Sequence, residues 1–252
     1  MRVDLGMIVV ATLAALPVGA QDTKVERLEI VDRAIEHHGG DAYDHSVTTF
    51  RICSRSGCFD LRVEMNEGMY DYTATGKVRE SLRSIRITND EVSWTEDGVM
   101  QTFEPAREQR LRDWVMARLY FGFLPYRLND PGVYKEDLGL ETWGDETLHK
   151  VKVTFEPGIS TDASDEYMYW FDPESGQVEQ FAYSYQGDPG GLRFRRAGNF
   201  RRIGGILFFD QENLGLDAPA LRVDMITPEM VESRMGRIST VAFEDIDVTL
   251  LE

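Results

Sequence analysis

Three groups of residues combine type and spacing in ways that can do chemistry. The densest is basic: Arg193, Arg195, Arg196, Arg201 and Arg202 lie close together in a chain of formal net charge -17. Guanidinium forks match carboxylate and phosphate geometry, so these residues can hold an anionic group or pair with the chain's own acids. The second group is acidic, with Asp162, Asp165 and Glu166 beside Ser160, Thr161 and Ser164. Carboxylates with a loop carbonyl can hold calcium, but the EF-hand spacing and its glycine are absent, so a solvated turn is expected and no metal is assigned. The third group is aromatic. Trp114, Tyr120, Phe121, Phe123 and Tyr126 form one concentration, and Tyr167, Tyr169, Trp170, Phe171, Phe181, Tyr183 and Tyr185 form another. Such side chains either fill the core of a curved sheet or line a pocket for an apolar or amphiphilic ligand.

Catalysis has less to work with. The chain holds no H-E-x-x-H, G-x-S-x-G, P-loop or dinucleotide fingerprint. Among its 4 histidines, His149 is the isolated candidate for proton transfer, in an expected strand. His37 and His38 are adjacent, and on a helix they point about 100° apart and cannot chelate one ion together. They are expected in a last helical turn, where a positive imidazole favours the dipole's negative end. No catalytic residue, metal or cofactor is therefore assigned. Cys53 and Cys58 flank Ser54-Arg55-Ser56-Gly57, turn residues between two strand-like runs, so the sulfurs fall opposite each other across a hairpin. In an exported protein that pattern reads as a structural disulfide.

The elements that must position these residues are mostly strands. Residues 48–53 and 58–65 read as a hairpin, and 69–74, 81–88, 91–96 and 99–103 follow at turn signals such as Asn66-Glu67-Gly68 and Asp97-Gly98. Strands at this regular spacing predict an antiparallel sheet or barrel. Arg79, Arg83 and Arg86, interleaved there, are expected on a solvated outer face. Further strands are expected over 138–143, 148–155 and 166–171, then in a meander to residue 214 and finally over 240–250. Residues 166–171 are aromatic at nearly every position, so both faces should be covered. The following strand alternates, with Phe181, Tyr183 and Tyr185 on one face and Gln180, Ala182 and Ser184 on the other. Two helices are expected to interrupt the strands. One runs from an Asp22-Thr23 cap to about His38, with Val25, Leu28, Val31 and Ile35 on its apolar stripe and Gly39-Gly40 as its stop. The other covers 106–119, with Leu111, Trp114, Val115, Arg118 and Leu119 on one side and an apolar tail over 120–126 that must be buried. Thr227-Pro228-Glu229 resembles one more helix start.

Composition and the N-terminus bound the setting. Arg2, an apolar run over 5–17 and Val18-Gly19-Ala20 read as a signal peptide of residues 1–20, cleaved after Ala20. No cysteine follows Ala20, so a lipid anchor is not expected. Residues 21–252 are then expected to form one β-rich domain, periplasmic or secreted, without an integral membrane segment. Strong acidity repels nucleic acids and anionic bilayers, and it favours a soluble monomer.

The order of these elements resembles the lipoprotein-carrier fold of the LolA type, in which helices cover the concave face of a curved antiparallel half-barrel. The Tyr169-Trp170-Phe171-Asp172-Pro173-Glu174-Ser175-Gly176 hairpin is similar to a strand and turn of that superfamily. His38-Gly39-Gly40, Leu124-Pro125-Tyr126-Arg127-Leu128-Asn129-Asp130-Pro131 and Arg193-Phe194-Arg195 resemble, more closely, an exported bacterial family of unknown function related to that fold. The resemblance covers most of residues 24–214. It implies a mainly β fold with a few helices (α+β) and a carrier or sensor of an amphiphilic, lipid-like ligand. Small Ala182 and Ser184 would leave room on the sheet. Trp114, Phe121, Phe123, Tyr126 and Tyr169 would line the site, with 121–126 as a lid, and Arg193 and Arg195 would hold a headgroup at the rim. A hydrolase with an unrecognised acid/base pair and a protein-binding adaptor are the alternatives.

Overall fold

The computed structural model describes residues 27–55, 57–157, 165–185, 190–218 and 220–251. Helix α1 (Glu29–His38) buries Ile30, Val31, Ala34 and His38, and it ends where Gly39 donates its N–H to Ile35. Its expected cap at Asp22-Thr23 lies outside the described residues. A 3-10 turn (Gly40–Tyr43) leads into a meander of β1 (His45–Ser54), β2 (Gly57–Asn66), β3 (Met69–Val78), β4 (Ser81–Thr88), β5 (Val92–Glu96) and β6 (Val99–Met100). The expected strand over 99–103 is thus only its first pair of residues. In β1 and β2 burial alternates strictly, with Ser46, Thr48, Phe50 and Ile52 meeting Phe59, Leu61, Val63 and Met65 on one face. That period is what a sheet covered on one side demands.

Helix α2 (Pro105–Gly122) has proline in its first turn, where the missing N–H costs nothing. It is longer than its sequence signal, because Tyr120, Phe121 and Gly122 continue the helix instead of forming a tail. A 3-10 turn (Tyr126–Asn129) opens the second meander: β7 (Val133–Trp143), β8 (Glu146–Phe155), β9 (Tyr167–Phe171), β10 (Val178–Tyr185), β11 (Gly191–Ile203) and β12 (Ile206–Leu216). Next come a 3-10 turn (Val223–Met225) and α3 (Pro228–Arg234), whose Thr227 hydroxyl accepts the Met230 N–H as an N-cap. The last strand, β13 (Gly236–Leu250), pairs with β1 on one side and β12 on the other. It joins the two meanders into one antiparallel sheet of order β6-β5-β4-β3-β2-β1-β13-β12-β11-β10-β9-β8-β7.

The sheet curves around α2. Trp114 meets Phe59 of β2, Gly122 lies against Phe50 of β1 and Phe243 of β13, and Tyr120 reaches Tyr169 of β9. One helix can touch strands so far apart in the order only if the sheet is cupped. The result is a half-barrel with α1 and α2 in its concave face, as expected. A second apolar layer covers the opposite face of the later strands. There Trp143, Met168, Trp170, Ala182, Leu192 and Phe194 pack under Val223, Ile226, Val231 and Met235. This layer is why β9 is buried at every position.

Candidate functional site

The concave face is filled by the end of α2. Phe121 stacks on Phe181, with ring centroids 6.0 Å apart, while Phe123 packs edge-on against Tyr43 and Phe50. Leu124 is buried beside them. Tyr126 stacks on Tyr43 and donates its hydroxyl proton to Asp44. Tyr120 and Tyr169 share a hydrogen bond of 2.6 Å, and burial pushes both phenols far above the ordinary tyrosine range. This interior is buried and aromatic, with a few hydroxyls set into it.

Arg195 lies within this interior at 1% exposure, not at a rim. It donates to Gln211 Oε1 at 3.0 Å and to the Tyr183 hydroxyl at 3.1 Å, and its guanidinium sits 4.4 Å over the Phe121 ring. Gln211 in turn donates to the Phe121 carbonyl at 2.9 Å, which belongs to the electronegative end of α2. No carboxylate among the described residues pairs with Arg195. Its Nε is buried without a partner. Arg193 occupies the same face further along β11, 4.4 Å over the Tyr185 ring and 3.2 Å from Asp217. The remaining arginines of the segment satisfy themselves within the chain: Arg196 with Glu212 and Glu232, Arg201 with Asp210, and Arg202 with the carbonyls of His37 and Gly205.

The nine side chains expected to bind a ligand do not share one surface. Trp114, Phe121, Phe123, Tyr126, Tyr169, Arg193 and Arg195 belong to the concave side. Ala182 and Ser184 face the other way, where Ala182 packs with Trp170 and Phe194. The alternation of β10 is as the sequence has it; the covering of its small-residue face is not, because that face meets the segment before β13 instead of α2. Gln211, which the sequence pattern does not single out, completes the site together with Tyr120 and Tyr183 of the two aromatic concentrations. A glutamine following Ile206-Leu207-Phe208-Phe209 was the available signal, since a polar side chain in an apolar strand must find a buried partner.

Other candidates resolve differently. Cys53 and Cys58 are directly paired across β1 and β2 and joined as a disulfide. His38 is fully buried, and its Nε2 accepts the Val178 N–H at 3.0 Å. Burial, reinforced by His37, pushes its pKa down to about 3. The expected positive imidazole is therefore corrected to a neutral one, because a charge there would be both desolvated and unpaired. Arg83 is also corrected: it shares the inward face of β4 with Ile85 and Ile87 and pairs with Glu96 at 2.7 Å. His149 Nε2 lies 2.7 Å from Asp137, whose carboxyl is held below its ordinary range by the Gly139 N–H and by His149. Asp162 lies outside the described residues, and among those described no three His, Cys, Asp or Glu side chains converge on a metal position. No described helix is long and apolar enough to cross a membrane.

Comparison with solved structures places this fold among LolA-like proteins. A LolA superfamily protein from Nitrosomonas europaea matches with a TM-score of 0.52 at 14% identity, covering 88% of this chain and 93% of that one. A DUF1329 family protein from Desulfovibrio piger matches at 0.40 and 9% identity over 86% and 91% of the two chains. At such identities the likeness speaks to fold alone. No significant match exists among curated proteins. A family model, however, spans residues 12–241, and by that match the chain belongs to DUF6503, a family of unknown function.

Proposed function

We propose that the protein is an exported carrier or sensor that binds an amphiphilic, acyl-bearing ligand in the concave face, with the end of α2 yielding to admit it. The observation that carries this reading is the buried Arg195–Gln211 pair on the Phe121 carbonyl. A packed core gains little from a cation without a counter-ion, since desolvating a charge is expensive. A latch gains from it, because neutral acceptors and a helix end can be exchanged for others. Once Phe121, Phe123 and Leu124 move aside, the ligand meets an apolar wall running from β1 to β12. Each methylene that replaces them contributes roughly 0.8 kcal/mol, so one acyl chain reaches micromolar affinity without a charged contact. The segment over residues 1–20 and the disulfide support export to an oxidising compartment.

Displacement of a fluorescent fatty-acyl probe tests the reading. Lysophospholipid is expected to compete, and Phe123→Asp is expected to weaken the probe by at least about tenfold, the equivalent of about 1.4 kcal/mol. Absence of probe binding to the folded wild-type protein contradicts the proposal.

A further inference from the structure

A second cationic group lies along the side of α2 that faces β2, β4 and β5, and the chain supplies it with little negative charge. Arg107, Leu111, Trp114 and Arg118 recur at helical spacing on one side of α2, towards β2, β4 and β5. The Arg118 guanidinium lies 3.7 Å over Trp114 and 4.1 Å over Phe59. Arg107 lies 4.1 Å over the Trp94 ring, and Arg83 approaches the same ring at 5.2 Å. Arg83 and Arg107 thus share the Trp94 indole while Arg118 covers Trp114, and among the described residues Glu96, bound to Arg83, is the carboxylate paired with them.

The unpartnered polar side-chain atoms buried here are donors. Arg118 gives one N–H to the Trp114 carbonyl, and its Nε is buried without a partner. Trp94 is 5% exposed, and its indole N–H is likewise unpartnered. Neither Arg107 nor Arg118 forms an ion pair with any described residue. The chain has 44 acidic residues, so a structural cation could readily have been given one. Stacking on indoles stabilises a guanidinium but does not neutralise it. Arg118 also feels Arg83, and desolvation together with that repulsion pushes its pKa down to about 9. An anion beside Arg118 would relieve both.

We propose that Arg118, with Arg83 beside it and Arg107 across Trp94, binds the phosphate or carboxylate headgroup of the amphiphile. The inference rests on the reading of the concave face as an amphiphile site, and it moves the headgroup from the Arg193 end, where Asp217 already pairs, to the β4–β5 end. Arg118 and Trp114 are half-buried and Phe59 belongs to the inner core, so the group joins the surface to the apolar interior.

Isothermal titration of the full chain with decyl phosphate, decanol and inorganic phosphate tests this. Decyl phosphate is expected to bind more tightly than decanol, with an advantage that shrinks as salt rises. Arg118→Met keeps the apolar stem and is expected to weaken decyl phosphate roughly 10-fold to 100-fold, the range for hydrogen bonds to charged groups, while leaving decanol unchanged. Arg107→Gln, at a more peripheral position, repeats the test should the first variant fail to fold. Equal affinity for decyl phosphate and decanol, or no loss in folded variants, overturns the headgroup site and leaves the carrier reading standing. Binding of inorganic phosphate as tight as decyl phosphate, with no decanol binding, upholds the anion site and contradicts the amphiphile. Binding of none of the three overturns both.

Discussion

Replacing His38 by glutamine should flatten the acid side of the stability profile. The ring is neutral in the fold because it is buried and because Nε2 accepts the Val178 N–H. Its pKa falls from the ordinary imidazole value of 6.5 to about 3. The unfolded chain therefore binds the proton more readily than the folded one across that interval. The stability this group contributes is fully present above pH 6.5 and is lost as pH falls towards the folded value. Each pH unit within the window costs about 1.4 kcal/mol, so lowering pH from 7 to 5 removes about 2 kcal/mol through this residue alone. Glutamine places an amide oxygen near the former Nε2 and cannot be protonated. Urea unfolding followed by tryptophan emission at several pH values isolates the effect as the difference between variant and wild type, which cancels the many carboxylates common to both. The gap should close by about 2 kcal/mol between pH 7 and pH 5. Parallel profiles would refute a neutral buried His38.

Other consequences follow from the packing around α2. A Cβ added at Gly122 would stand 2.8 Å from the Phe50 ring and 3.3 Å from Phe243. Gly122→Ala should therefore destabilise the protein by about 1–3 kcal/mol, read as a lower urea midpoint. Gln211→Leu leaves the Phe121 carbonyl and one Arg195 N–H unpaired. It should cost about 1–3 kcal/mol and speed hydrogen exchange over residues 119–126 more than in the strands. Exchange that rises evenly across the chain would separate general loosening from release of the latch.

Much of the architecture was legible because its signals are local. Turn residues between alternating runs placed the β1–β2 hairpin, and with it the cysteine pair. The alternation of Phe181 and Tyr183 against Ala182 placed the two faces of β10. What was not legible depended on parts distant in sequence. Arg195 alternates with Phe194 as a solvated position would, yet it is buried because the end of α2 covers its face of the sheet. His38 carries a surface residue's sequence context at a helix end, but Phe209 and the Val178 N–H close over it. Nothing near Thr240 announced that β13 would join the two meanders, since register with β1 and β12 is a property of three separate segments. Arg118 belonged to the apolar stripe in the sequence pattern, and its lack of an acid became visible only with its neighbours in place.

Native mass spectrometry of the protein purified from its own cell envelope, followed by solvent extraction, tests the central claim most directly. The account predicts an acyl-bearing mass that co-purifies, is released by extraction, and is displaced by an acyl probe. A ligand-free mass alone, with no probe uptake by the folded protein and the same behaviour in Phe123→Asp, would contradict it and leave the concave face as a packed core.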